Sequence, residues 1–162
     1  MATTRKRPRV AANMPLVPPA ELATISKGTW SPNITDSSGN SFDGVSVTTG
    51  AWERTGNEVT LFIRVGWTGK TSVVGGDVMR IADLPFKNSS KERSVGGGNF
   101  EYTGLGAWPA NTAQIIPEIL QANDYIKFFY LTTTGSSTSL FCSQVATSGQ
   151  FRGTYKYTTE DP

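Results

Sequence analysis

Residues 58–67 read EVTLFIRVGW and decide the fold class of this chain. The odd-numbered positions are all large and apolar, whereas the even-numbered positions are mostly polar or glycine, with Phe62 alone out of phase. An alternation with a period of two over this length predicts a long strand with one face on a core and the other mostly in solvent. Residues 54–57 (RTGN) predict a tight turn, which pairs this strand with residues 45–53 as a β-hairpin.

Short runs rich in Thr, Val, Ile, Tyr, Phe and Trp, separated by Gly, Asn, Asp and Ser, continue on both sides of the hairpin. This composition is typical of strands and turns. Further strands are predicted at 28–34, 77–81, 99–103, 112–116, 124–132, 140–145 and 150–158. About eight to nine strands at this spacing predict an all-β fold, an antiparallel sandwich of the jelly-roll or tumour-necrosis-factor-like kind.

Two stretches carry a different signal over part of their length. Residues 115–121 allow at most one helical turn, because Pro117 argues against a longer helix. The serine- and threonine-rich tract 132–139 is predicted to be a loop.

The first twenty residues have a different composition. They contain four cations, four prolines and no acid, so they carry +4, whereas residues 21–162 hold 11 basic and 13 acidic residues and carry −2. Such a segment buries too little apolar surface to offset the entropy of ordering it, which predicts an extended or disordered arm. We assign residues 1–27 to a basic, proline-rich arm and residues 28–162 to one sandwich domain, long enough for a core of its own.

The composition excludes several classes of enzyme. The chain has no His and a single Cys, Cys142, so it has neither a His-based triad nor a His-ligated metal site nor an internal disulfide. Cys142 is expected to be a small buried hydrophobe. The apolar runs are far too short for a membrane span, so no membrane insertion is expected.

Paired carboxylates are the remaining route to catalysis or cation binding. Asp77 with Asp83, or Asp36 with Asp43, could converge as glycosidase acids or around Ca²⁺. Their spacing matches no calcium loop, and aspartates in turns ordinarily hydrogen-bond locally. We therefore expect no catalytic residue, no metal and no cofactor, with a structural divalent cation at a subunit contact as the alternative.

The cations of the arm are Arg5, Lys6, Arg7 and Arg9. Guanidinium and ammonium groups on a flexible chain neutralise phosphates without reading sequence, which points to packaging of nucleic acid. Many arms inside one closed shell would turn weak individual contacts into retention of a genome. The alternatives are a nuclear localisation signal or a solvated tail.

Four residues of the body are further candidates. Trp108 lies in a Gly-rich segment, where a Trp favours an interface or a ligand groove. Lys87, Lys91 and Arg93 lie in a polar stretch, which is either a solvated loop or a contact for a partner or nucleic acid. The other large aromatic residues that fall in phase with strand cores are expected inside the sandwich: Trp30, Trp52, Trp67, Phe128, Phe151 and Tyr155.

Four short motifs carry a family resemblance. Residues 28–32 (GTWSP), 50–60 (GAWERTGNEVT), 81–86 (IADLPF) and 153–155 (GTY) resemble a module at the tips of phage tail fibres and tailspikes. The resemblance covers roughly residues 28–157 and implies a trimeric β-sandwich. In place of the shaft of a fibre protein, however, the sequence has a short basic arm.

A short basic arm before a compact β-sandwich is similar to the coat proteins of very small icosahedral or satellite-like viruses. That resemblance implies a shell protein that associates with itself, packages viral nucleic acid without sequence preference, and resides in the virion and, during assembly, in the host cytoplasm or nucleus. The host receptor is not identified by the sequence. The alternatives are a trimeric receptor- or glycan-binding fibre tip and a tumour-necrosis-factor-like ligand, the latter disfavoured because the N-terminus lacks an apolar signal-peptide stretch.

Overall fold

The computed structural model describes residues 25–95, 97–105 and 111–161. These residues form eleven strands and one short 3₁₀ helix at Cys142–Gln144. The strands are β1 Ile25–Thr29, β2 Asn33–Thr35, β3 Ser46–Thr55, β4 Glu58–Trp67, β5 Arg80–Ala82, β6 Ser94–Val95, β7 Gly98–Leu105, β8 Thr112–Ile119, β9 Ile126–Thr132, β10 Ser137–Ser139 and β11 Val145–Thr158.

The strands form two antiparallel sheets. Sheet 1 has the order β1-β3-β4-β11-β7, and sheet 2 has the order β2-β5-β9-β8-β6, with β10 also paired to β9. The chain passes repeatedly from one sheet to the other, so neither sheet is built from a single stretch of sequence. The predicted all-β antiparallel sandwich is confirmed.

The predicted hairpin lies at the centre of sheet 1. Thr55 pairs with Glu58 around the turn, where Gly56 adopts a φ of +57° that other residues rarely accept. Along β4, the odd-numbered side chains are buried, whereas Phe62 lies half-buried on the outer face. The long strand β11 pairs with the other edge of β4 along the whole length of β4, so that both edges of β4 are paired.

Aromatic rings join the two sheets. Phe128 of β9 stacks on Phe151 of β11 with ring centroids 4.8 Å apart, and Trp67 of β4 stacks on Phe151 at 5.5 Å. Each fully buried ring of this size stabilises the fold by about 1.5–3 kcal/mol. Of the aromatic residues expected inside, four are buried, and two are partly buried against the core (Trp67, Phe128, Phe151 and Tyr155; Trp30 and Trp52).

The boundaries differ from the predictions near the N-terminus. β1 begins at Ile25, so the sandwich includes residues assigned to the arm. The single strand predicted at 28–34 is two strands in different sheets, because the chain turns between them at Pro32, which has no backbone N–H for a ladder.

Three predictions in the C-terminal half are wrong. Residues 115–119 belong to strand β8 and not to a helical turn, with alternate residues packed on the core. The tract 132–139 contains strand β10, which forms a hairpin with β9 around a turn where Ser136 donates its N–H to Thr132 Oγ1 (3.1 Å). Residues 140–145 form mostly a 3₁₀ turn, because Gln144 Oε1 accepts the backbone N–H of Phe141 (2.8 Å) and closes it.

Within the described part of the chain, no helix has the length and apolar character needed to cross a membrane.

Candidate functional site

Five of the predicted site residues lie outside the described residues. These are Arg5, Lys6, Arg7 and Arg9 of the arm, together with Trp108. The other three, Lys87, Lys91 and Arg93, lie in the segment between β5 and β6.

The segment that contains these three cations is held by the C-terminal tail. Glu160 accepts hydrogen bonds from the hydroxyls of Ser89 (3.0 Å) and Ser90 (2.8 Å) and forms an ion pair with Lys91 at 3.7 Å. The hydroxyls of Ser90 and Ser89 lower the pKa of the Glu160 carboxyl. The segment is therefore packed against the end of the chain rather than free in solvent.

Two of the three cations pair with different carboxylates, and the third residue is held through its backbone. Lys91 faces Glu160, whereas Arg93 pairs with Glu118 of β8. The backbone N–H of Lys87 donates to the Asp161 carboxylate. The structure does not gather these residues into one basic patch.

Most other cations of the sandwich also have partners within the fold. Lys70 donates to the Val145 carbonyl (2.6 Å), and the Arg80 guanidinium lies 4.1 Å from the ring centroid of Tyr125. The remaining ion pairs of the described residues are Lys27–Glu53, Lys127–Glu118, Arg152–Glu101 and Lys156–Glu58. The exposed pairs among these add little stability, but they cancel the positive field that would attract a polyanion.

Glu118 is the centre of the most unusual charge cluster. It lies opposite Lys127 on the outer face of sheet 2, yet its side chain is only 1% exposed. Lys127 Nζ contacts Glu118 Oε2 at 2.9 Å, and Arg93 Nε donates to Oε1. A carboxylate buried to this extent requires such cations, since an unpaired buried charge is strongly unfavourable.

These groups line a pocket of about 230 Å³, here called the Glu118 pocket. Its other walls are the half-buried Phe129 of β9 and the three residues of β10, Ser137, Thr138 and Ser139. Of the residues that line this pocket, only Arg93 is a candidate from the sequence. The single acid in the apolar stretch 115–120 is a sequence signal for a buried charge at this position. Only the pairing of β8, β9 and β10 shows which side chains surround it.

A larger concavity of about 470 Å³ lies between β7 and β8, and we call it the edge groove. Phe100 and Tyr102 line one side, and Ile115 and Pro117 line the other. The outer edges of β7 and of residues 113–117 pair with no strand among the described residues. Burial raises the pKa of Tyr102, and its hydroxyl forms no hydrogen bond to a described residue.

The candidate carboxylates organise loops instead of converging. Asp36 is fully buried and accepts N–H groups from Ser38, Asn40 and Val74 at 2.8–3.0 Å. Burial raises its pKa, but these hydrogen bonds outweigh burial and hold it below its ordinary value. In the same way, Asp43 accepts hydrogen bonds from the backbone N–H and the hydroxyl of Thr71, which hold the loop around Asp43.

No cluster of three or more potential metal ligands occurs among the described residues. Asp77 accepts a hydrogen bond from the Ser38 hydroxyl, and Asp83 occupies a turn with a φ of +61°. Cys142 is buried, and burial raises the pKa of its thiol to about 11, which keeps it in the unreactive protonated form.

No protein-family model matches this sequence, and no curated protein is significantly similar to it.

Proposed function

We propose that this chain is a viral coat protein, a structural protein that assembles with copies of itself into a small closed shell and holds nucleic acid through its N-terminal arm. The observation that carries the proposal is the separation of charge. The sandwich has a slight excess of acids, and most of its cations have partners within the fold, whereas the arm has four cations and no acid.

This separation supports the arm as the part that meets nucleic acid. Binding to phosphates depends on cations that can release the counterions condensed on the polyanion. A cation paired one-to-one with a carboxylate is a poor candidate, because its charge is already neutralised. The arm is the one stretch where four cations lie within five consecutive residues, with no acid among them.

The edge groove supports self-association. Strands with an open edge present unpaired N–H and C=O groups, which readily pair with another chain. In the edge groove these groups border apolar side chains. A partner strand that paired with the edge would therefore also bury apolar surface. We propose that copies of the chain meet at this edge within the shell.

Deletion of residues 2–9 tests the role of the arm. We expect the truncated chain to fold and assemble, but to copurify with far less nucleic acid than the full chain. The ratio of absorbance at 260 nm to that at 280 nm, before and after nuclease treatment, measures this. Particles of the truncated chain with the full amount of nucleic acid would contradict the proposal.

A matched control separates the arm from the cations of the sandwich. Lys156→Gln removes an exposed cation that is paired with Glu58, and we expect it to leave the nucleic-acid content unchanged. If K156Q reduced the content as strongly as the deletion does, then nucleic acid would be held by the sandwich and not by the arm.

A further inference from the structure

We propose that the Glu118 pocket binds the carboxylate-bearing residue of an acidic saccharide. The pocket lies on the outer face of sheet 2 and shares no lining residue with the edge groove. The inference does not depend on the coat-protein proposal, since it rests on the side chains of the pocket alone.

The cations of the pocket retain donors for a ligand. Arg93 directs its Nε at Glu118, and its two terminal nitrogens form no hydrogen bond to a described residue. Lys127 contacts Glu118 with an ammonium group that has three N–H donors. Two cations around one carboxylate leave a single positive charge, which matches one ligand carboxylate, and a guanidinium binds that group with two parallel hydrogen bonds.

The remaining walls suit a sugar ring. Ser137 and Ser139 pair with Leu131 and Phe129, which places them on the same outer face as Lys127. Their hydroxyls can donate to and accept from sugar hydroxyls, while Phe129 offers a partly exposed apolar ring. The volume of about 230 Å³ lies below the roughly 300–1,000 Å³ of sites for drug-sized ligands, which favours a single ring.

Nucleic acid fits the same pocket poorly. A polyanion gains affinity from many unpaired cations, and this site offers a net charge of one. Its fixed carboxylate repels a second phosphate, whereas a sugar hydroxyl can donate a hydrogen bond to it. The chemistry of the pocket therefore favours an acidic saccharide over a phosphate chain.

Calorimetric or NMR titration of the full chain with glucuronate tests the inference, with glucose as the neutral probe and inorganic sulfate as the plain oxyanion. We expect glucuronate to bind and glucose and sulfate to bind at least tenfold more weakly. Arg93→Gln is expected to weaken glucuronate binding by roughly tenfold or more, as loss of a charged hydrogen bond does. Lys91→Gln, in the same segment but paired with Glu160 outside the pocket, should bind glucuronate like the parent chain.

Several results would overturn the inference. They are absence of glucuronate binding, equal binding of glucose, equal binding of sulfate, or a binding constant that R93Q leaves unchanged. The Arg93 side chain is 55% exposed, so we expect R93Q to fold, which its circular dichroism spectrum would verify. Ser139→Ala provides a second, milder variant, with an expected weakening of a few-fold.

Discussion

The centre of sheet 1 and the edge of the sandwich differ in how far the backbone N–H and C=O groups of their strands are paired. β4 pairs with β3 on one edge and with β11 on the other, and its inward side chains are almost completely buried. Among the described residues, the outer edges of β7 and of residues 113–117 of β8 pair with no strand, and a groove lies between them. The centre thus has little capacity for further contacts. The edge, in contrast, has backbone groups that pair with no described strand and the partly exposed ring of Tyr102.

The largest effect should come from a change at the centre. Leu61→Ala removes a fully buried side chain from the middle of β4, and we expect it to lower the free energy of unfolding by about 2–5 kcal/mol. Urea denaturation monitored by tryptophan fluorescence measures this. The neighbouring Phe62→Ala, on the outer face of the same strand, is the control, with an expected loss of no more than about 1 kcal/mol. Equal losses would refute the assignment of the two faces.

An intermediate effect is expected at Glu118, on the strand that borders the edge. Glu118→Gln keeps the shape of the side chain but leaves Lys127 and Arg93 without their shared anion. We expect a loss of about 1–3 kcal/mol, limited by the exposure of Arg93, which water can solvate.

Glu101→Gln is the matched control for this change. Glu101 also pairs with an arginine, Arg152, but both side chains are more than half exposed. Its loss should cost no more than about 1 kcal/mol. If both glutamine variants unfold at the same urea concentration as the parent chain, then burial of Glu118 contributes nothing to stability.

The smallest effect on stability should come from the edge itself. Gln114 is exposed and lines the edge groove, so Gln114→Lys should change the free energy of unfolding by only about 0.5 kcal/mol. Self-association should nevertheless be lost, because charged residues prevent pairing at strand edges. Sedimentation velocity measures this, with Thr154→Lys on the outer face of β11 as a control that should assemble normally. Normal assembly of Q114K would exclude the edge groove as the contact.

The sequence predicts the centre of the molecule better than its periphery. The alternation along residues 58–67 follows directly from burial of one face, and the pairing partner follows from the turn at Gly56. The split of residues 28–34 into two strands depends on the position of Pro32 between two sheets. β10 depends on pairing with β9, which no periodicity in a serine- and threonine-rich tract reveals.

The candidate surfaces can also be predicted from the sequence only in part, because most of them are formed by strand pairing. The sequence indicates Arg93 through its position in a polar stretch, but the other members of the cluster, Glu118 and Lys127, come from strands that meet only in the folded sheet. The edge groove likewise depends on which strand edges stay unpaired, a property of the topology and not of local sequence. The charge of the arm, by contrast, can be read directly from the chain.

The size of the particles that the purified protein forms in solution tests the central claim most directly. Multi-angle light scattering measures their mass, and negative-stain electron microscopy shows their shape. We predict closed particles that contain dozens of copies of the chain. A monodisperse trimer would contradict the claim and favour a fibre tip, and a monomer at concentrations that favour association would contradict both.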